Sequence, residues 1–126
     1  MREQSELNFF IGYAGACQAA FEAACIDAAT RLCGGCFVAD GTGYWREGAE
    51  RRAARFDGTL QEERTLCLKL TTELAKEAEV LAAMRSAISG AAARFGMQGA
   101  VRWVHVQRSA ITGLHFSIEN ELDRAA

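Results

Sequence analysis

The chain predicts an α+β sandwich of the ferredoxin-like type, with elements in the order β-α-β-β-α-β, an antiparallel sheet, both helices on one face and an additional strand at the C-terminus. Three observations predict it. Apolar residues alternate at strand period in Leu7–Tyr13, Arg64–Thr71 and Leu114–Glu119, and Ala100–Gln107 reads as a further strand. Apolar residues recur at helical spacing in two segments lying between strand-like stretches. Each helical segment runs into a glycine. An all-helical reading leaves the three alternations unexplained.

In the first strand Leu7, Phe9, Ile11 and Tyr13 share one side, and Asn8, Phe10 and Gly12 the other. From Ala16 to Leu32 the apolar stripe is Cys17, Ala20, Phe21, Ala24, Ala28 and Leu32, with Gln18, Glu22, Asp27 and Arg31 on the polar side; Gly34-Gly35 closes the helix with a left-handed cap. The second strand begins at Cys36. A polar connection over about residues 46–63, which the sequence marks as flexible and charged, holds EGAERRAARFDG, enough for one or two helical turns. In RTLCLKLT, Leu66, Leu68 and Leu70 point inward. The second helix runs from about Lys76 to Phe95 through Val80, Leu81, Met84, Ile88 and Ala91, with Gly96 as its stop. AVRWVHVQ supplies the fourth strand, and Leu114, Phe116 and Ile118 suggest a fifth after a Gly113 turn. The last residues, about 120–126, read as a short tail.

A chain of 126 residues has room for one core. With 14 Lys and Arg against 16 Asp and Glu, the net charge of -2 excludes a globally basic nucleic-acid binder, so direct nucleic-acid binding is not expected. No apolar run nears the roughly 18 residues of a membrane span, and MREQSELN lacks a signal-peptide core. These features predict a soluble cytoplasmic protein with no membrane partner.

Asp40-Gly41-Thr42-Gly43-Tyr44-Trp45 holds two glycines at a spacing also found in phosphate-binding loops. A dinucleotide fingerprint needs a third glycine where Arg46 stands and a helix where Tyr44-Trp45 stands, and no Gly-x-x-x-x-Gly-Lys loop occurs. The glycines instead mark a bulge or a close backbone approach in an edge ribbon that presents Tyr44 and Trp45 on opposite sides. Trp45 then either caps the core or, with Tyr44, Arg46, Arg51, Arg52 and Arg55, faces a partner.

This ribbon, set between a helix-Gly-strand unit and the charged-then-strand unit Glu62-Glu63-Arg64-Thr65-Leu66, resembles small phage, prophage and bacterial proteins with a strand-borne Gly-x-Gly-x-Trp motif. The resemblance covers about Leu7 to Gln107. The long arginine-bearing connection and the extra C-terminal strand depart from the pattern. It implies a ferredoxin-like fold and a mobile-element context and supplies no catalytic residues. Phage-borne domains of this size often inhibit host defence, which makes an anti-CRISPR-like inhibitor that occludes a host protein or ribonucleoprotein complex the leading expectation. The alternative is a small-molecule or nucleotide-binding protein or enzyme that uses the cleft between the sheet and the 46–63 connection, its arginines holding an anion.

Chemistry-bearing residues are sparse. Cys33-Gly34-Gly35-Cys36 has redox spacing but sits at a helix C-terminus, where the dipole disfavours thiolate. Cys17, Cys25, Cys67, His105 and His115 offer no second paired spacing for zinc, so the five cysteines read as small hydrophobes, and no metal or cofactor is expected. Glu62-Glu63 and the Glu119, Glu121, Asp123 group read as solvated flanks. No nucleophile motif accompanies the histidines, so the balance favours a protein that is not an enzyme. One sheet face remains uncovered in this fold. Phe10, Cys67, Trp103 and His105 fall on it, which predicts a homodimer through that face or through the ribbon edge at Tyr44 and Trp45.

Overall fold

The structure is a computed structural model, and it describes residues 2–49 and 55–119. The elements are β1 (Arg2–Tyr13), α1 (Ala19–Cys33), β2 (Phe37–Arg46), β3 (Leu60–Glu73), α2 (Glu77–Arg94) and β4 (Val104–Gly113). They form a four-stranded antiparallel sheet in the order β2-β3-β1-β4. This is the ferredoxin-like α+β architecture that the alternations predict. No helix of the described residues is long and apolar enough to cross a membrane.

The core follows from the side-chain alternation of the central strands. Leu7, Phe9, Ile11 and Tyr13 of β1 and Leu66, Leu68 and Leu70 of β3 are buried under Phe21, Cys25 and Ala29 of α1 and Val80, Met84, Ile88 and Ala91 of α2. Tyr13 and Phe21 meet edge to face with ring centroids 5.8 Å apart. Gly34 closes α1 at φ 81°, its N–H donating to the Thr30 carbonyl, the left-handed cap that the sequence announces.

Several boundaries differ from the expected ones. β1 starts at Arg2 and β3 at Leu60, because each polar end has a neighbour to pair with: Gln4 lies opposite Glu73, and Arg46 opposite Leu60. The connection therefore narrows to residues 47–59, and the expected helical turns fall in part on residues outside the described ones. The expected tail at 120–126 lies outside them entirely. The fourth strand is displaced toward the C-terminus, to Val104–Gly113. There Arg108 Nε donates to Glu77 Oε1 at 2.6 Å, and Ser5 Oγ donates to the other oxygen of the same carboxylate. A β1 side chain, a β4 side chain and the start of α2 are thus held together, a tie that no strand alternation reveals.

No fifth strand forms among the described residues. Gly113 is the last residue of β4, paired with Arg2, rather than a turn. Leu114, Phe116 and Ile118 are 73%, 72% and 90% exposed. Alternation states that a segment suits pairing; it does not supply an edge within reach. The expected bulge at Gly41 and Gly43 is also absent, since β2 pairs with β3 residue for residue from Phe37↔Lys69 to Arg46↔Leu60. The close approach is real at Gly43, where a Cβ would stand 2.5 Å from Thr65 Oγ1.

Candidate functional site

Both helices lie on the side of Leu7 and Leu68, so among the described residues no helix covers the other face of the sheet. Register builds it in rows: Ala39, Cys67, Phe10 and His105 lie side by side across all four strands, and Gly41, Thr65 and Gly12 form the next row. Phe10 and His105 touch through their rings, 5.8 Å between centroids and tilted by 45°. Beyond the glycines this face opens into a groove of about 440 Å³, bordered by Trp45 from the end of β2 and Trp103 from the residue before β4.

The floor of the groove is made by missing side chains. Glu63 lies directly across from Gly43, and a Cβ placed on Gly12 would run into its carboxylate. With glycine on either side, Glu63 reclines across the sheet between the two strands. An acidic group thus lies over Gly12 in the groove that the two tryptophans also line, with Arg102 and His105 among the other lining residues.

The structure draws two expected sets of residues onto one surface. Tyr44, Trp45, Phe10, Trp103 and His105 all line this groove, although the sequence suggests separate partner-binding and dimer patches. Cys67 is in the row of Phe10 and His105, half-buried, its thiol pKa raised by burial. Tyr44 pairs with Glu62 and Trp45 with Gln61, so successive residues do face opposite sides of the ribbon. Arg46 donates from Nη1 to the Gly58 carbonyl at 3.2 Å, which holds the ends of the connection together. Arg55 is exposed; Arg51 and Arg52 lie outside the described residues.

Sequence reasoning missed several groups. Glu63 reads as a solvated flank, because the glycines that admit its side chain are 51 and 20 residues away in the sequence. Glu22 reads as part of the polar side of α1, yet it is 7% exposed. Arg64 donates to its carboxylate through Nε at 2.7 Å and Nη2 at 3.0 Å, and the Tyr13 hydroxyl donates to it as well. Arg64 Nη2 also reaches Asp40 Oδ2 at 2.8 Å. The hydrogen bonds from Arg64 hold the Glu22 carboxyl below the usual glutamate range against the opposing effect of burial, while burial foremost raises the Tyr13 phenol. Both Glu22 oxygens and the Tyr13 hydroxyl have partners, so the network is a brace between α1, β1, β2 and β3 on the helix side of the sheet.

Cys33 and Cys36 pack against the core, and burial raises both thiols, with the neighbouring sulfur adding to the shift at Cys33. Among the described residues no three or more His, Cys, Asp or Glu side chains gather where a metal ion could be held. Fold and site together define a ferredoxin-like sandwich with a two-tryptophan groove on the free face of its sheet. No protein-family model matches the chain, and no curated protein is significantly similar to it.

Proposed function

We propose that this is a non-enzymatic binding protein that grips a protein partner by the open face of its sheet, taking a cationic side chain of that partner between Trp45 and Trp103 and onto Glu63. The observation that supports this reading best is the Glu63 carboxylate laid over Gly12 in a groove bordered by two indoles. A guanidinium or ammonium group gains from both features, a charge-assisted hydrogen bond to the carboxylate and attraction to the aromatic faces. Phe10 and His105, in ring contact on the same face, extend the aromatic surface beyond the groove, as in interfaces where a few aromatic anchors dominate binding. Arg55 and its neighbours Arg51 and Arg52 suit acidic residues at the rim of such a partner. The resemblance of the Gly-x-Gly-x-Trp ribbon to phage-borne proteins makes a host defence complex in the host cytoplasm the first partner to test, with occlusion as the mode of action.

A second reading rests on the groove volume. At about 440 Å³ it falls within the range of small-molecule pockets, so a free cationic metabolite is the competing ligand. A thermal-shift screen with arginine- and lysine-containing peptides, free amines and guanidines, and nucleotides separates the readings, because a ligand of the native state raises Tm by mass action. Peptide-dependent shifts that vanish in Glu63→Gln support the protein-binding reading. Shifts with free amines alone favour the second, and shifts with nucleotides or other anions overturn both.

A further inference from the structure

The two outer strands of the sheet are unequal. β2 carries Gly41 and Gly43 and an Asp40 engaged with Arg64, features that discourage edge pairing. β4 runs ten residues, free of proline and with glycine only at its last position, Gly113, and its one charged side chain, Arg108, is neutralised by Glu77. Beside β4, on the helix side, runs an uncovered groove of about 560 Å³ between Leu81 and Ile88 of α2 and Val104 and Val106 of β4, with Arg85 and Arg102 among its lining residues. The same chain holds an unburied apolar segment, Leu114, Phe116 and Ile118, followed by Glu119, Glu121 and Asp123.

We infer that the β4 edge and its groove are occupied by a second copy of this chain: β4 pairs antiparallel with β4 of the partner about Ser109, and each copy lays Leu114, Phe116 and Ile118 into the other's groove. Parity supports the arrangement. In β4 the even-numbered residues face the helices, because Val104 and Val106 lie opposite Ile11 and Phe9. If the strand continues, Leu114, Phe116 and Ile118 fall on that same side. With Ser109 opposite its own copy, Leu114 faces Val104 at the start of the partner's β4, and Phe116 and Ile118 continue past it on the same side as the groove. That brings the apolar triad to the groove. Moving the axis to Arg108 sets two arginines directly opposite each other, which is unfavourable. Moving it to Gln107 shortens the paired stretch.

The segment reaches the groove only from another copy. Gly113 is opposite Arg2, at the end of β4 remote from Val104. A tight hairpin back along its own strand sets residues 114–118 beside residues 109–113, short of Val104 and Val106. An isologous dimer solves both problems at once, since each copy supplies segment and groove. The pairing uses the β4 edge and the helix side and involves neither Glu63 nor Trp45, so this inference does not rest on the proposed function.

Sedimentation equilibrium of the full chain at micromolar concentration tests it, together with mild oxidation of Ser109→Cys. The expected result is a mass twice the 13.7 kDa of the chain, at least a tenfold weaker dimer in Phe116→Asp, and a reducible covalent dimer in Ser109→Cys that Thr42→Cys on the β2 edge does not form. Phe116 lies outside the strands and is exposed, so its replacement leaves the fold intact, which circular dichroism verifies. A monomer at all concentrations overturns the inference. So does a dimer that survives Phe116→Asp but dissociates in Phe10→Glu, which places the contact on the open face instead.

Discussion

Arg64 and Glu22 form a two-pronged pair, Nε to Oε2 at 2.7 Å and Nη2 to Oε1 at 3.0 Å, that fastens β3 to α1 at the end of the sheet where the Tyr13 hydroxyl also arrives. A bidentate pair fixes orientation as well as distance. It sets the angle at which α1 crosses the sheet.

Removing the acceptor tests this brace. Glu22→Ala leaves the buried Tyr13 hydroxyl without its carboxylate, which costs roughly 1–3 kcal/mol. At about 4 °C per kcal/mol for a domain of this size, Tm falls by several degrees in a calorimetric scan.

The pair also fixes a pH dependence. The folded-state pKa of Glu22 is lowered, chiefly by Arg64, so its stabilising effect is complete above the ordinary glutamate pKa of about 4.3 and is lost as pH falls through the lower folded value. Glu77, lowered by Arg108 and then by Ser5, acts in the same direction. Denaturant midpoints of wild type and Glu22→Gln should be well separated at pH 7 and converge below about pH 4. A constant separation across that range contradicts the assignment.

The core makes a simpler demand. Leu68 is fully buried at the centre of β3, under both helices. Leu68→Ala should cost about 2–5 kcal/mol, the usual price of a core truncation, read as a lower urea midpoint with unchanged slope.

Gly12→Ala should separate binding from folding. The new methyl meets only the mobile end of Glu63, so the side chain swings away and the sheet persists. Tm should shift little, while affinity for an arginine-containing peptide falls about tenfold, as when one charge-assisted contact is lost. Trp103→Ala, at a position 65% exposed, should likewise spare stability and weaken binding.

Thiol chemistry offers a further check. Cys25 is buried and its thiol is pushed up to about 12, while Cys33, Cys36 and Cys67 are raised by burial. A raised pKa leaves less thiolate at neutral pH, and thiolate is the reactive form. The exposed Cys17 should therefore react first with an alkylating reagent at pH 7.5, and Cys25 only on unfolding, as peptide mass mapping would show.

The fold was legible because its determinants are local. Leu66, Leu68 and Leu70 announce their own strand, and Gly34 its own cap, without reference to the rest of the chain. Trp45 and Trp103 were also visible as unusual residues on strand-like segments. What joins them was not. Whether Glu63 stands up or lies down depends on Gly12 and Gly43, and cross-strand neighbours are set by register rather than by sequence distance. Glu22 was misjudged for a related reason: on a helix it counts as a polar position, and only Arg64 and Tyr13, brought in by two strands, make its burial tolerable. The displaced fourth strand shows the same dependence, because Arg108 has meaning only beside Glu77.

The position of β1 in the middle of the sheet bears on how the chain emerges from the ribosome. It precedes the other three strands of the sheet, yet its two neighbours are β3 and β4, the latter ending at Gly113. A nascent chain that has reached only α2 can pair one edge of β1 and leaves the other unpaired, so sheet closure waits for β4. Such long-range pairing slows folding and exposes an unpaired edge during synthesis. A chain truncated after Gly99 should accordingly aggregate or recruit a chaperone, whereas one truncated after Gly113 should fold.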